Sequence, residues 1–104
     1  MTDMNKASSD EVDVLVGKAW SQHFHGQHDN AIAAFQEIVQ RWPEHIDANY
    51  GLGLSLKAGG QKQEAGEAFR KTKALIDSAL AGQTEVNSRY MMLSRMVEQR
   101  LSDL

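Results

Sequence analysis

The chain has 104 residues, of which 41% are hydrophobic and 24% charged, and a formal charge of −3; this is the composition of a single globular domain with a small core. So small a charge says little about partners and argues only mildly against nucleic acid, which wants a basic face. There is no run of 18 apolar residues to span a membrane and no basic-then-apolar leader with a cleavage site, and the absence of cysteine excludes disulfides, thiol catalysis and thiolate metal sites together.

Met1 to Ala7 is polar and aperiodic, so a mobile tail is expected over residues 1–9. Ser8 and Glu11 have capping-box spacing, which places a first helix from about Asp10 to His25 with Ser8 or Ser9 as its cap. Val12, Leu15, Val16, Ala19, Trp20 and Phe24 fall at three- and four-residue steps and form its apolar face. Gly26 ends that helix. A second helix over about 28–41 carries Ala31, Ala34, Phe35, Ile38 and Trp42 on one stripe, and Pro43 closes it. A third, over about 45–58, contains Gly51 and Gly53, each costing roughly 1 kcal/mol against alanine, which points to the close approach of a neighbouring helix. After Gly59-Gly60 a fourth helix has no stop at Asp77 and is expected to run to Gly82. Thr84 caps a fifth, whose stripe is Val86, Tyr90, Leu93, Val97 and Leu101 and whose back is Glu85, Arg89, Arg95, Glu98 and Gln99.

The middle of the chain repeats. Gly26, Gln27, Ala31, Ala34 and Phe35 return 34 residues later as Gly60, Gln61, Ala65, Ala68 and Phe69, and the register extends back through Asp13/Asp47, Gly17/Gly51 and Ser21/Ser55. Eight of the 32 positions compared between Val12–Pro43 and Ile46–Asp77 are identical, and a 34-residue period marks a helix-turn-helix solenoid. Together with Leu52-Gly53, the run Ala31-Ile32-Ala33-Ala34-Phe35, Ile38-Val39 and Pro43 resembles the tetratricopeptide repeat. The resemblance implies an all-α, right-handed superhelix: repeat one at about 12–45, repeat two at about 46–79, and a capping helix at about 84–102. It departs from the family pattern at Lys18-Ala19, where Leu-Gly is expected, and at Asp77, where Pro43 would recur.

In such folds the first helices of successive repeats line a concave groove. Carried onto this chain, that implies a partner-binding surface of Val16, Trp20, His23 and Phe24 with Asp13, then Asp47, Tyr50, Leu54 and Lys57, then Tyr90 with Ser94 and Val97. Some family members clamp a peptide carboxylate with a Lys and two Asn; those positions hold Val16, Trp20 and Gly51, so that clamp is missing. The groove is aromatic and aliphatic instead, suited to an apolar or amphipathic segment; the alternative is that Trp20 and Tyr50 are partly buried against their own neighbours.

Other chemistry is poorly represented. His23, His25 and His28 cluster at the first turn and His45 follows the second helix, but on a helix His23 and His25 lie about 200° apart, and no metal-ligand spacing such as His-Glu-x-x-His is present. No nucleophile elbow or phosphate-binding glycine pattern occurs. Met91, Met92 and Met96 read as the seam of the capping helix, with an adaptable contact surface as the alternative. The expectation is a cytoplasmic, non-enzymatic scaffold or adaptor that needs no cofactor or metal and binds a protein or peptide, with no role at membranes or nucleic acid. The alternative is a structural subunit of a larger complex or homo-oligomer.

Overall fold

The computed structural model describes residues 4–82 and 88–104. Among these are five helices and no strand: α1 (Met4–Phe24), α2 (His28–Arg41), α3 (Ile46–Ala58), α4 (Lys62–Ala81) and α5 (Ser88–Ser102). Each helix packs against its neighbours in sequence, with a further contact between α1 and α3. The molecule is thus the all-α, two-repeat solenoid with a fifth, closing helix.

The two inter-helix turns have one design. At the end of α1 the Gln27 amide donates to the Gln22 carbonyl (2.9 Å) and the Gly26 amide to that of His23 (3.1 Å); at the end of α3 Gln61 donates to Leu56 (2.9 Å) and Gly60 to Lys57 (3.1 Å). These are the paired bonds of a Schellman ending, which satisfies orphan carbonyls but requires a left-handed residue. Gly26 and Gly60 supply it with φ of 76° and 83°. The repeated Gly-Gln dipeptide is therefore one backbone device used twice. Gln27 and Gln61 then open the next helix, their carbonyls accepting from Ala31 and Ala65 at 2.9 Å.

The connection between repeats is built differently. The His45 ring nitrogen Nδ1 accepts from the Ala48 amide (3.0 Å) and caps α3, while the fully buried Asn49 donates to the carbonyls of Pro43 (3.1 Å) and His45 (2.7 Å). An unpaired amide side chain at that depth would cost roughly 1–3 kcal/mol, so the pairing fixes the turn's geometry as well as satisfying it.

Two clusters make the core. One joins α1 to α2 through Val12, Val16, Ala19, Ala31, Phe35 and Ile38, and the other joins α3, α4 and α5 around Tyr50, Leu56, Phe69, Ile76 and Val97. Phe35 and Phe69, both fully buried, grip α3 from its two sides. A Cβ placed on Gly51 would lie 2.5 Å from Phe35 Cε1, and one on Gly53 the same distance from Phe69 Cε1. The helix-weakening glycines of α3 are thus where two aromatic rings meet its backbone, as their spacing suggested.

Some expectations fail at the ends. Helix α1 begins at Met4, not near Asp10, because Met4–Asp10 contains no Pro or Gly to stop it; Ser8 and Ser9 lie inside the helix, and the tail expected over 1–9 is helical from Met4 onward. Phe24, assigned to the apolar face, is 75% exposed. Met91, Met92 and Met96 are exposed, so they are not the seam; that seam is Tyr90, Leu93, Val97 and Leu101. Helix α4 does run past Asp77 to Ala81 with Gly82 at its end. The expected cap Thr84, with Glu85 and Val86, lies outside the described residues.

Candidate functional site

The face shared by α1, α3 and α5 is organised by Trp20. Its indole Nε1 donates to Asp47 Oδ2 across the repeat boundary (3.0 Å), its ring stacks on Phe24 (centroids 5.6 Å, 19° between planes), and its edge meets Phe35 (5.2 Å, 78°). The half-buried indole satisfies its one polar atom while presenting apolar surface, as buried tryptophan usually does. Asp47 also borders a cleft between α3 and α5, walled by Glu44, Ile46, Arg89, Tyr90 and Leu93. Phe24, Trp20, Asp47 and Tyr90 therefore follow one another across this face.

His23 lies beside them, half-buried, sharing a hydrogen bond of 3.3 Å with the fully buried Ser55 of α3. Burial pushes the His23 pKa below its ordinary value of 6.5, and the charge of His28, whose ring centroid is 6.3 Å away, pushes the same way. The fold thus favours neutral His23. Below about pH 6.5 the unfolded chain takes up the proton first, so this histidine costs stability as pH falls toward its folded pKa. Between about pH 7.5 and about pH 5.5, the urea midpoint of the wild-type chain should fall more than that of His23→Gln; equal losses would remove His23 from the pH dependence.

Not every groove residue is available to a partner. Val16 is buried at 7% exposure against α2, and Tyr50 at 5% against Phe69, with ring centroids 6.0 Å apart; both are core residues, a correction to their place on an open surface. The physical reason is that each lies between two packed helices, so the angle that faces the groove also faces a neighbour. Val97 is fully buried for the same reason. Leu54 and Tyr90 are half-buried at the rim of the second cluster. Lys57 is half-buried and faces Asp103 of the C-terminal segment at 3.8 Å. The residues that remain accessible are Trp20, His23, Phe24, Asp47, Leu54, Lys57 and Tyr90.

Sequence reasoning did not single out Asn49, the bond from Ser55 to His23 or the capping role of His45. The histidines at the first turn have separate tasks: His23 bonds Ser55, and His25 Nδ1 donates to the Ser21 carbonyl (2.6 Å). Among the described residues no three or more His, Cys, Asp or Glu side chains come together as metal ligands, and no helix is long and apolar enough to cross a membrane.

Comparison with curated proteins and with solved structures gave no significant match. The tetratricopeptide repeat family model matches residues 13–45 and 47–75, together more than half of the chain and in the register of the 34-residue period. With the helix pairs, the repeated glycine turns and this match, the chain belongs to the tetratricopeptide repeat family, whose repeats generally mediate protein–protein interaction.

Proposed function

We propose that the chain is a small, non-catalytic scaffold or adaptor that takes an apolar or amphipathic peptide, or a partner helix, across the face of α1, α3 and α5. The observation that carries this reading is Phe24, a large aromatic 75% exposed with its ring stacked on Trp20. A preorganised aromatic costs little entropy to bury, which is why such residues are common hot spots. Asp47 and Lys57 are the polar groups at hand to orient a bound backbone or side chain, and Tyr90 closes the far edge. Phe24→Ala should leave the melting temperature within a few degrees of wild type, since the lost stacking is worth about 0.5–1.5 kcal/mol. It should weaken capture of the bound partner by about thirtyfold, the equivalent of 2 kcal/mol. Equal recovery by Phe24→Ala and wild type would remove this face from the account.

The outward Met91, Met92 and Met96 favour a second reading, a subunit whose α5 is covered in a larger assembly or by its own copy. Sedimentation of the pure chain over a range of concentrations separates the two: a stable monomer supports the adaptor, a tight dimer the subunit.

A further inference from the structure

The 34-residue period allows each position of α1 to be compared with its counterpart in α3, and the comparison exposes an unused interface. Ala48 and Ser55 are fully buried and Gly51 receives the Phe35 ring, because α2 lies across this face of α3. Their counterparts on α1 are Val14, Ser21 and Gly17. Val14 is 70% exposed, Ser21 is exposed, and a Cβ on Gly17 would meet nothing within 4 Å. The crevices repeat as well. Lys18, Gln22 and Ala34 line one between α1 and α2, and Leu52, Leu56 and Ala68, each 34 residues on, line one between α3 and α4. The second crevice also touches Gln36 and Val39 of α2; among the described residues the first has no helix in that place. Asp13, exposed, stands where Asp47 accepts the indole of Trp20.

We infer that the outer face of α1 is a docking surface for the end helix pair of another helical-repeat protein, one whose second helix presents a phenylalanine to Gly17 as α2 presents Phe35 to Gly51. The inter-repeat interface runs from α2 to α3 and from α4 to α5, and this face repeats Gly17 and Ser21 at the positions of Gly51 and Ser55, with Lys18 and Gln22 where Leu52 and Leu56 stand. A second copy of the chain is a poor occupant: the faces of α2 and α4 that would dock are covered by α3 and α5, and α5, the trailing helix, carries no phenylalanine. This surface is separate from the face of α1, α3 and α5 proposed above.

The test uses the full chain with a second copy of Val12–His45 inserted ahead of Val12, which keeps the 34-residue register because Ile46 and Val12 are counterparts. In the unmodified chain Gly17→Ala should raise the melting temperature by about 4 °C, since alanine is the better helix former and its methyl has open space. Gly51→Ala should lower it, because its methyl strikes Phe35. In the extended chain a single transition is expected above that of wild type, and Gly17→Ala in the original copy should now lower it, as Gly51→Ala does. In trans, a peptide of residues 27–43 at millimolar concentration should shift the amide resonances of Gly17 and Ser21, and Gly17→Ala should abolish those shifts. Phe24→Ala should change none of this, so failure here and failure of the peptide-binding face are distinguishable. An inserted repeat that melts separately, a Gly17→Ala effect of unchanged sign, or peptide shifts confined to Trp20 and Phe24 would overturn the inference. Concentration-dependent dimers of the unmodified chain that Gly17→Ala dissolves would overturn it in favour of self-association.

Discussion

Deleting α5 and the two residues after it, 88–104, is expected to abolish the cooperative thermal transition rather than to lower its midpoint by a few degrees. Phe69 and Ile76 of α4 are fully buried in one cluster with Val97 of α5, and Thr72, between them in sequence, is fully buried too. Removing Val97 with Tyr90, Leu93 and Leu101 uncovers a few hundred Å² of apolar surface, which at roughly 25 cal/mol per Å² is several kcal/mol. The whole stability of a domain this size is about 5–15 kcal/mol. The loss is also cooperative, because Tyr50 of α3 belongs to the same cluster and would be left partly uncovered. The ion pairs lost with this segment, Lys73–Glu98 at 3.4 Å and Lys57–Asp103 at 3.8 Å, are partly exposed and add little. Differential scanning calorimetry of the truncated chain decides it, and a sharp transition near the full-length temperature would show that α5 is an accessory.

Replacing Tyr50 by lysine is expected to unfold the protein or to leave it with a melt too broad to fit. At 5% exposure, with its ring against Phe69 and facing Trp20 at 6.4 Å, this side chain has no route to water for an ammonium group. Burying an unpaired charge costs more than the domain can spare. The phenol oxygen gives an informative control, because it is buried with no hydrogen-bond partner among the described residues. An unsatisfied hydroxyl is a penalty of roughly 1–3 kcal/mol, so Tyr50→Phe should be neutral or stabilising. Melting temperatures of the two variants against wild type test the assignment together. A folded Tyr50→Lys with a normal melt would return Tyr50 to the surface.

These cases also show what the sequence could and could not reveal. The repeat was legible because Gly26/Gly60 and Phe35/Phe69 obey physical demands that only a few residues meet: a left-handed turn, and a ring wedged between helices. Gly51 and Gly53 could be read as sites of close approach for the same reason. Periodicity assigns an angle around a helix, however, and not the identity of what lies at that angle. Phe24 shares a stripe with Val16 and Trp20, yet it falls in the last residue of α1, beyond the reach of the helices that cover the others, so it is exposed where Val16 is buried. Tyr50 was placed on the groove by family position, but the angle that points there also points at Phe69. Asn49 was invisible because its partners, the carbonyls of Pro43 and His45, are backbone groups that no side-chain pattern encodes.

The two rings that clamp α3 have a consequence for how the molecule opens. Helix α3 is gripped at Gly51 and Gly53 from both sides, whereas α1 and α5 stand at the two ends of the array. In a nearly one-dimensional array the free energy of local opening rises with the number of interfaces that must part. Fluctuations therefore begin at the two outer helices and move inward. The surface that carries Phe24 belongs to α1, so it sits at one end of the array. Its hold on a ligand is thereby tied to the fraying of one end of the molecule, and a bound partner that bridges α1 and α3 would suppress that fraying and share its stabilisation with the whole array.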